Sequence, residues 1–187
     1  DRWTVVFNRP DADASGNGGA LSLEESSYTK LDLIVESNPR QMNRARSNGE
    51  RAVDIVQYYE SIIGDSPYRS FTLALLESIL PGGHSPAYFA AVNQPLANTG
   101  ITWHNDPAAF AGYPEFFLAH EVAHQWWGQA VGWRNYHEQW ISEGFAQYFA
   151  ALYAQHFRGD EIFSNVMRQM TRWASEQSDQ GPIYLGY

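Results

Sequence analysis

Apolar and polar positions divide the chain into an extended first part and a helical second part. In YTKLDLIVE at 28–36, Leu31, Leu33 and Val35 recur at every second position, so they share one face of a predicted strand. WTVVFN at 3–8 alternates more weakly and predicts another strand. Between them, RPDADASGNGGA has the Gly, Asp and Asn content of an exposed loop. Asn38–Pro39 ends the 28–36 strand, because proline has no N–H to donate to a sheet ladder. The period then changes. Ala52, Ile55, Val56, Tyr59, Ile62 and Ile63 form a stripe at helical spacing and predict a helix running to about residue 63. The apolar run FTLALLESI at 71–79 predicts a buried strand. AYFAAVN at 87–93 predicts its antiparallel partner across a Pro81–Pro86 turn, and the edge strand of a cleft. EFFLAHEVAHQWWGQAV at 115–131 is helical in pattern, with Phe117, Val122, Trp126 and Ala130 on its packing side and Gly128 at its end. SEGFAQYFAALYAQHF at 142–157 predicts a further helix capped by Ser142, which puts Glu143 in the first turn, where the helix dipole favours a carboxylate. Asp160 caps a last helix whose Ile162, Phe163, Val166, Met170 and Trp173 are most simply core. Strands first and helices later predict an α+β domain.

Chemistry enters at HEVAHQWWG, 120–128, and WISEGFAQY, 140–148. Residues i and i+4 share a helix face, so His120 and His124 can offer two imidazole nitrogens to one metal ion, with Glu121 beside them. Glu143, on a second helix, would complete a His₂Glu zinc set and leave the fourth position to water. Two histidines on a helix need not bind metal, but here they sit among residues that otherwise pack. Rival schemes fail. The longer metzincin pattern needs a glycine and a third histidine where Trp127 and Ala130 stand, and H-x-x-E-H is absent. His137–Glu138 is followed by Ile141 where a second histidine is needed. His84, His104, His137 and His156 read as surface or hydrogen-bonded side chains. With no Cys, thiolate zinc sites and disulfides are excluded.

The block HEVAHQWWGQAVGWRNYHEQWISEGFAQY resembles the zinc-binding core of the aminopeptidase N-type gluzincin metallopeptidases, which show H-E-x-x-H-x-W-x-G, a gap of eighteen residues, and then E-G-[FH]-x-x-Y. His120, His124 and Glu143 match that family's zinc ligands and Glu121 its general base. Trp126, Gly128, Trp140, Gly144 and Tyr148 match its framework. The resemblance implies a thermolysin-like fold, with a small mixed sheet over a helical bundle and one Zn²⁺ in the cleft between them. It implies a single catalytic-domain fragment over 1–187, sheet-rich over 1–93 and helical and zinc-binding over 110–187, without the downstream helical region. It also implies zinc-dependent peptide-bond hydrolysis of the aminopeptidase kind. A non-catalytic binding relative and a zinc hydrolase of a non-peptide substrate are the alternatives, and a periplasmic or secreted location is compatible with the resemblance. The aromatic group Trp126, Trp127, Trp133, Trp140 and Tyr148 is read chiefly as packing between the helices, Trp126 above all, with a substrate pocket as the rival reading.

Two departures from the family bear on specificity and rate. Its aminopeptidases carry G-[AG]-M-E-N, whose Glu holds the substrate's free amine. GGHSP at 82–86 is the equivalent by order, so Gly82, Gly83 and Ser85 are the candidate substrate-binding residues, with Ser85 standing where that Glu would be. NQPLANTG at 93–100, the other candidate stretch, offers no acid either. A neutral hydroxyl cannot supply an ion pair to an ammonium. The family's downstream transition-state Tyr, in a Y-x-K-G-like segment, has no counterpart, since no Lys follows Lys30 and Tyr184 and Tyr187 lie too close to Glu143. Loss of one such oxyanion donor costs roughly 10²–10³ in rate. The sequence therefore reads as an excised piece of a larger protein, weak or inactive alone.

Charge narrows the partners. A net charge of −9 disfavours nucleic acid and anionic membrane surfaces, which carry the same sign. No apolar run is long enough to span a bilayer. The expected partner is a peptide substrate.

Overall fold

The computed structural model describes residues 2–4, 31–64, 66–76, 83–93, 110, 113–176 and 178–181. Strand β2, Asp32–Glu36, follows the alternation expected of it: Leu33 and Val35 are buried and their neighbours are not. Strand β1, Arg2–Thr4, pairs antiparallel with β2 and overlaps the start of the expected 3–8 strand. The rest of that strand and the 9–20 loop lie outside the described residues. Helix α1, Met42–Ile63, connects β2 to strand β3, Ser70–Leu76, and these two strands are parallel. A βαβ unit results, the connection that parallel neighbours require. Ala52, Ile55, Val56 and Tyr59 of the predicted stripe are buried, whereas Ile62 is exposed at the helix end. On β3 the buried positions are Phe71, Leu73 and Leu75.

The expected hairpin between 71–79 and 87–93 does not form. Strand β5, Phe89–Asn93, runs parallel to β3, and its antiparallel partner is the two-residue strand β4, Gly83–His84. The order is β1-β2-β3-β5-β4, so β4, not β5, is the edge on that side of the sheet. The hairpin joins β4 to β5 through Ser85–Tyr88, where Tyr88 takes a left-handed φ of 54°. Parallel pairing of β3 with β5 is sterically open because the chain first returns along β4, leaving a lane for β5 between them.

Among the described residues, three further helices follow: α2, Glu115–Ala123; α3, Gln139–Arg158; and α4, Asp160–Glu176. Helix α2 is shorter than its pattern suggested. Gln125 and Trp126 N–H bond to the carbonyls three residues back, tightening the last turn, and Gly128 lies beyond it with a φ of 106°. Helix α3 is longer than expected: a 3-10 turn at Tyr136–Glu138, capped by the Asn135 side chain, leads straight into it. Ser142 is therefore not an N-cap, and Glu143 is in the second turn, beyond the strongest part of the helix dipole. Asp160 opens α4 and accepts from Gln155 Nε2 at 2.7 Å. Of the expected α4 core, Val166 is buried, Ile162, Phe163 and Met170 pack against the core, and Trp173 is 44% exposed.

Helix α1 approaches β2 closely because Gly49 faces Val35. A Cβ on Gly49 would lie 2.9 Å from Val35 Cγ2. Relief of glycine's helix penalty is worth about 0.5–1 kcal/mol, and overpacking costs about 1–3 kcal/mol, so crowding wins. Gly49→Ala is expected to destabilise by about 1 kcal/mol in urea unfolding. In a Val35→Ala background, which opens the space, the same change is expected to be neutral or stabilising.

Candidate metal and catalytic site

Eight of the nine residues of α2 are buried, Glu115 being the exception. Phe116, Phe117, Leu118, Ala119, Val122 and Ala123 explain why the helix is enclosed. Tyr59 of α1 donates to Ala119 O at 3.0 Å, and its ring meets Trp126 edge-on at 5.8 Å. Arg158, at the end of α3, pairs with Glu115, at the start of α2, at 2.8 Å, so the two helices run antiparallel. The histidines near the end of α2 thus meet the start of α3.

His120 and His124 are 6% and 9% exposed. Their Nε2 atoms lie 3.1 Å apart, and Glu143 Oε2 is 3.5 Å and 3.6 Å from them. Ligands at about 2.0–2.1 Å in a tetrahedron lie roughly 3.3–3.4 Å from one another. The three donor atoms therefore have the spacing of one face of a tetrahedral metal site, and the donor set is the N₂O type that suits zinc. Among the described residues, these three side chains form a group able to hold a metal ion.

Protonation favours the same arrangement. His124 Nδ1 lies 3.0 Å from the Trp127 carbonyl, which can only accept, so Nδ1 carries the hydrogen and Nε2 is left bare. Burial, then the neighbouring His120, lowers the His124 pKa to about 4, so the ring is neutral at pH 7. Burial raises the Glu143 pKa, but the hydrogen bond with His120 and the charges of His124 and His120 outweigh it, so the carboxylate titrates lower than usual. His120 Nδ1 is buried without a hydrogen-bond partner among the described residues.

Glu121 is 5% exposed, and its Oε2 accepts a hydrogen bond from Ser85 Oγ. Gly83 lies against the same carboxylate, where a Cβ would be 2.3 Å from Oε1. The candidate substrate residues Gly83 and Ser85 therefore surround Glu121. Gly82 lies outside the described residues, and His84 is exposed on β4. Two side chains not singled out in the sequence secure this contact. Gln125 Nε2 donates to Pro86 O at 3.1 Å and Phe89 O at 3.2 Å, and Gln129 Nε2 donates to Ser85 O at 3.0 Å. Their signal was polarity in an otherwise apolar helical run. Ser142, expected as a helix cap, is instead 2% exposed with its Oγ 3.0 Å from His124 Nδ1.

The aromatic residues separate by role. Trp126 is buried in packing, as expected, and Trp127 stacks on Phe145 at 4.7 Å. Trp133, Trp140 and Tyr148 are 38%, 45% and 45% exposed, so packing covers only part of each ring. His156 stacks on Tyr58 at 4.5 Å, His137 is exposed, and His104 lies outside the described residues, as do Tyr184 and Tyr187.

The lowered His124 pKa makes a pH prediction for the chelator-treated chain. The folded value lies below the unfolded one, so the neutral ring's contribution is fully present above about pH 6.5 and is lost as pH falls toward about 4. Over that window, wild type is expected to lose on the order of 3 kcal/mol more urea stability than His124→Gln. Parallel stability curves would contradict this.

Residues 115–181 match the Peptidase family M1 domain. Mouse aminopeptidase O is 36% identical over 66 residues, a stretch covering 33% of this chain and 8% of that protein. Aminopeptidase Q of Acinonyx jubatus is 35% identical over 60 residues, 29% of this chain and 6% of that protein. The matched chain thus spans less than a tenth of these relatives' length. In fold, it resembles Legionella pneumophila aminopeptidase A, solved in complex with aspartic acid, with a TM-score of 0.60 at 16% identity over 85% of this chain and 17% of that one. A zinc metallopeptidase of family M1 from Deinococcus radiodurans gives 0.51 at 19% identity over 80% and 29%. The stretch that carries His120, Glu121, His124 and Glu143 thus matches the Peptidase family M1 domain, and the fold is similar to that of solved aminopeptidases and M1 zinc metallopeptidases.

Proposed function

We propose that this chain supplies the metal and base of a zinc-dependent peptidase, with His120, His124 and Glu143 as ligands and Glu121 as general base. The observation that carries this reading is the convergence of two imidazole nitrogens and one carboxylate oxygen at 3.1–3.6 Å. Bound zinc supplies Lewis acidity, making a water acidic near pH 7 and polarising a carbonyl. Glu121 takes the proton of the attacking water and returns it to the leaving amine. Ser85 and Gly83 hold its carboxylate in place, one by a hydrogen bond and the other by leaving room. The names of the relatives support an aminopeptidase-like substrate class. The substrate is a peptide. No helix among the described residues is long and apolar enough to cross a membrane.

Metal analysis tests the ligand set. One zinc per chain is expected for wild type and for Glu121→Gln, and stoichiometric zinc is expected to be lost in His124→Ala. In the full-length protein, Glu121→Gln is expected to abolish hydrolysis while keeping zinc. Tight stoichiometric zinc in His124→Ala would overturn the assignment.

Specificity depends on Ser85. Its hydroxyl faces Glu121 and brings no negative charge for a substrate ammonium. The full-length protein is expected to cleave N-acetylated peptides within about tenfold of free ones, or about 1.4 kcal/mol of discrimination. Rates on matched free and acetylated peptides decide this. A preference for the free amine far above tenfold would restore strict aminopeptidase selection by an acid elsewhere, such as Glu115, Glu138 or a residue beyond Tyr187.

A further inference from the structure

We propose that Ser142 is a positioning residue that ties the His124 half of the metal set to the Glu143 half, with Gly128 as its steric counterpart. This rests on the reading that His120, His124 and Glu143 hold a metal. The ligands come from two helices, and their spacing depends on how those helices dock. Ser142 immediately precedes Glu143 on α3 and is 2% exposed. Its Oγ lies 3.0 Å from His124 Nδ1 and donates to Trp127 O at 3.1 Å, while Nδ1 lies 3.0 Å from that same carbonyl. The accounting closes in one way. Trp127 O uses its two lone pairs to accept from Ser142 Oγ–H and from Nδ1–H, and a lone pair of Oγ accepts a share of Nδ1–H.

The triangle fixes three things at once: the tautomer of His124, the angle of its ring, and the position of the α3 backbone that carries Glu143. The hydroxyl is not needed to cap α3, which begins three residues earlier at Gln139. Gly128 makes the contact sterically possible. A Cβ there would lie 2.3 Å from Ser142 Oγ and 3.1 Å from Ser142 Cβ. Gly128 also has a φ of 106°, so its role at Ser142 must be separated from backbone strain. Gly159 provides the control. Its φ is 92°, and nothing lies within 4 Å of the Cβ it would carry.

The test compares Ser142→Ala, Ser142→Thr and Ser142→Val in zinc affinity, by competition with a chromophoric chelator. Partners of ligating histidines typically contribute 10–100-fold in metal affinity. Ser142→Ala and Ser142→Val are expected to bind zinc about 10–100-fold more weakly than wild type. Thr and Val have the same shape and differ only in the hydroxyl, so Thr binding at least about tenfold tighter than Val is expected even if both loosen the fold. The visible spectrum of the Co²⁺-loaded chain is expected to change in Ala and Val but not in Thr. Gly128→Ala is expected to weaken zinc binding, and Gly159→Ala to lower stability without doing so. Equal zinc affinity and equal Co²⁺ spectra for Thr, Val and wild type would overturn the proposal. If wild type binds no zinc, or His124→Ala binds it equally well, the ligand assignment falls and the proposal with it.

Discussion

Helix α2 and the turn that follows it are enclosed on nearly every side, and together they carry His120, Glu121, His124 and Gln125 into that interior. Buried polar groups cost free energy unless each finds a partner. The surrounding structure meets that demand at several points: Trp127 O and Ser142 serve His124, Ser85 serves Glu121, and two backbone carbonyls of the β4–β5 hairpin take the Gln125 amide hydrogens. The two facing Nε2 atoms and Glu143 form a further cluster, with a geometry and donor set suited to a cation. Burial also keeps His124 neutral, the state in which an imidazole nitrogen can ligate.

The sheet contributes through its edge. Because β5 lies between β3 and β4, the hairpin is directed at α2, and Gln125 and Gln129 hold it there. The hairpin thereby delivers Ser85 and Gly83 to Glu121. The topology thus links the sheet to the candidate base as directly as α3 links Glu143 to the histidines.

The sequence made the meeting of His120, His124 and Glu143 legible because the i, i+4 relation survives the early end of α2: His124 still has helical backbone angles at the C-cap. The alternation of β2 and the stripe of α1 were legible because each buries one face on the sheet–helix interface. The orientation of β5 was not, since its partner β4 has two residues and shows no alternation. Ser142 was misread because serine before a helical run has the same signature whether it caps the helix or bonds across to another. The start of α3 at Gln139 was hidden by the 3-10 turn that precedes it. Gly128 looked like a helix end, but its absent side chain makes room for Ser142.

X-ray absorption at the zinc edge of the zinc-loaded chain tests the central claim most directly. The account predicts a four-coordinate shell of nitrogen and oxygen at about 2.0–2.2 Å, with the outer-shell scattering of two imidazoles. One imidazole, three imidazoles, or a six-coordinate oxygen shell would contradict it.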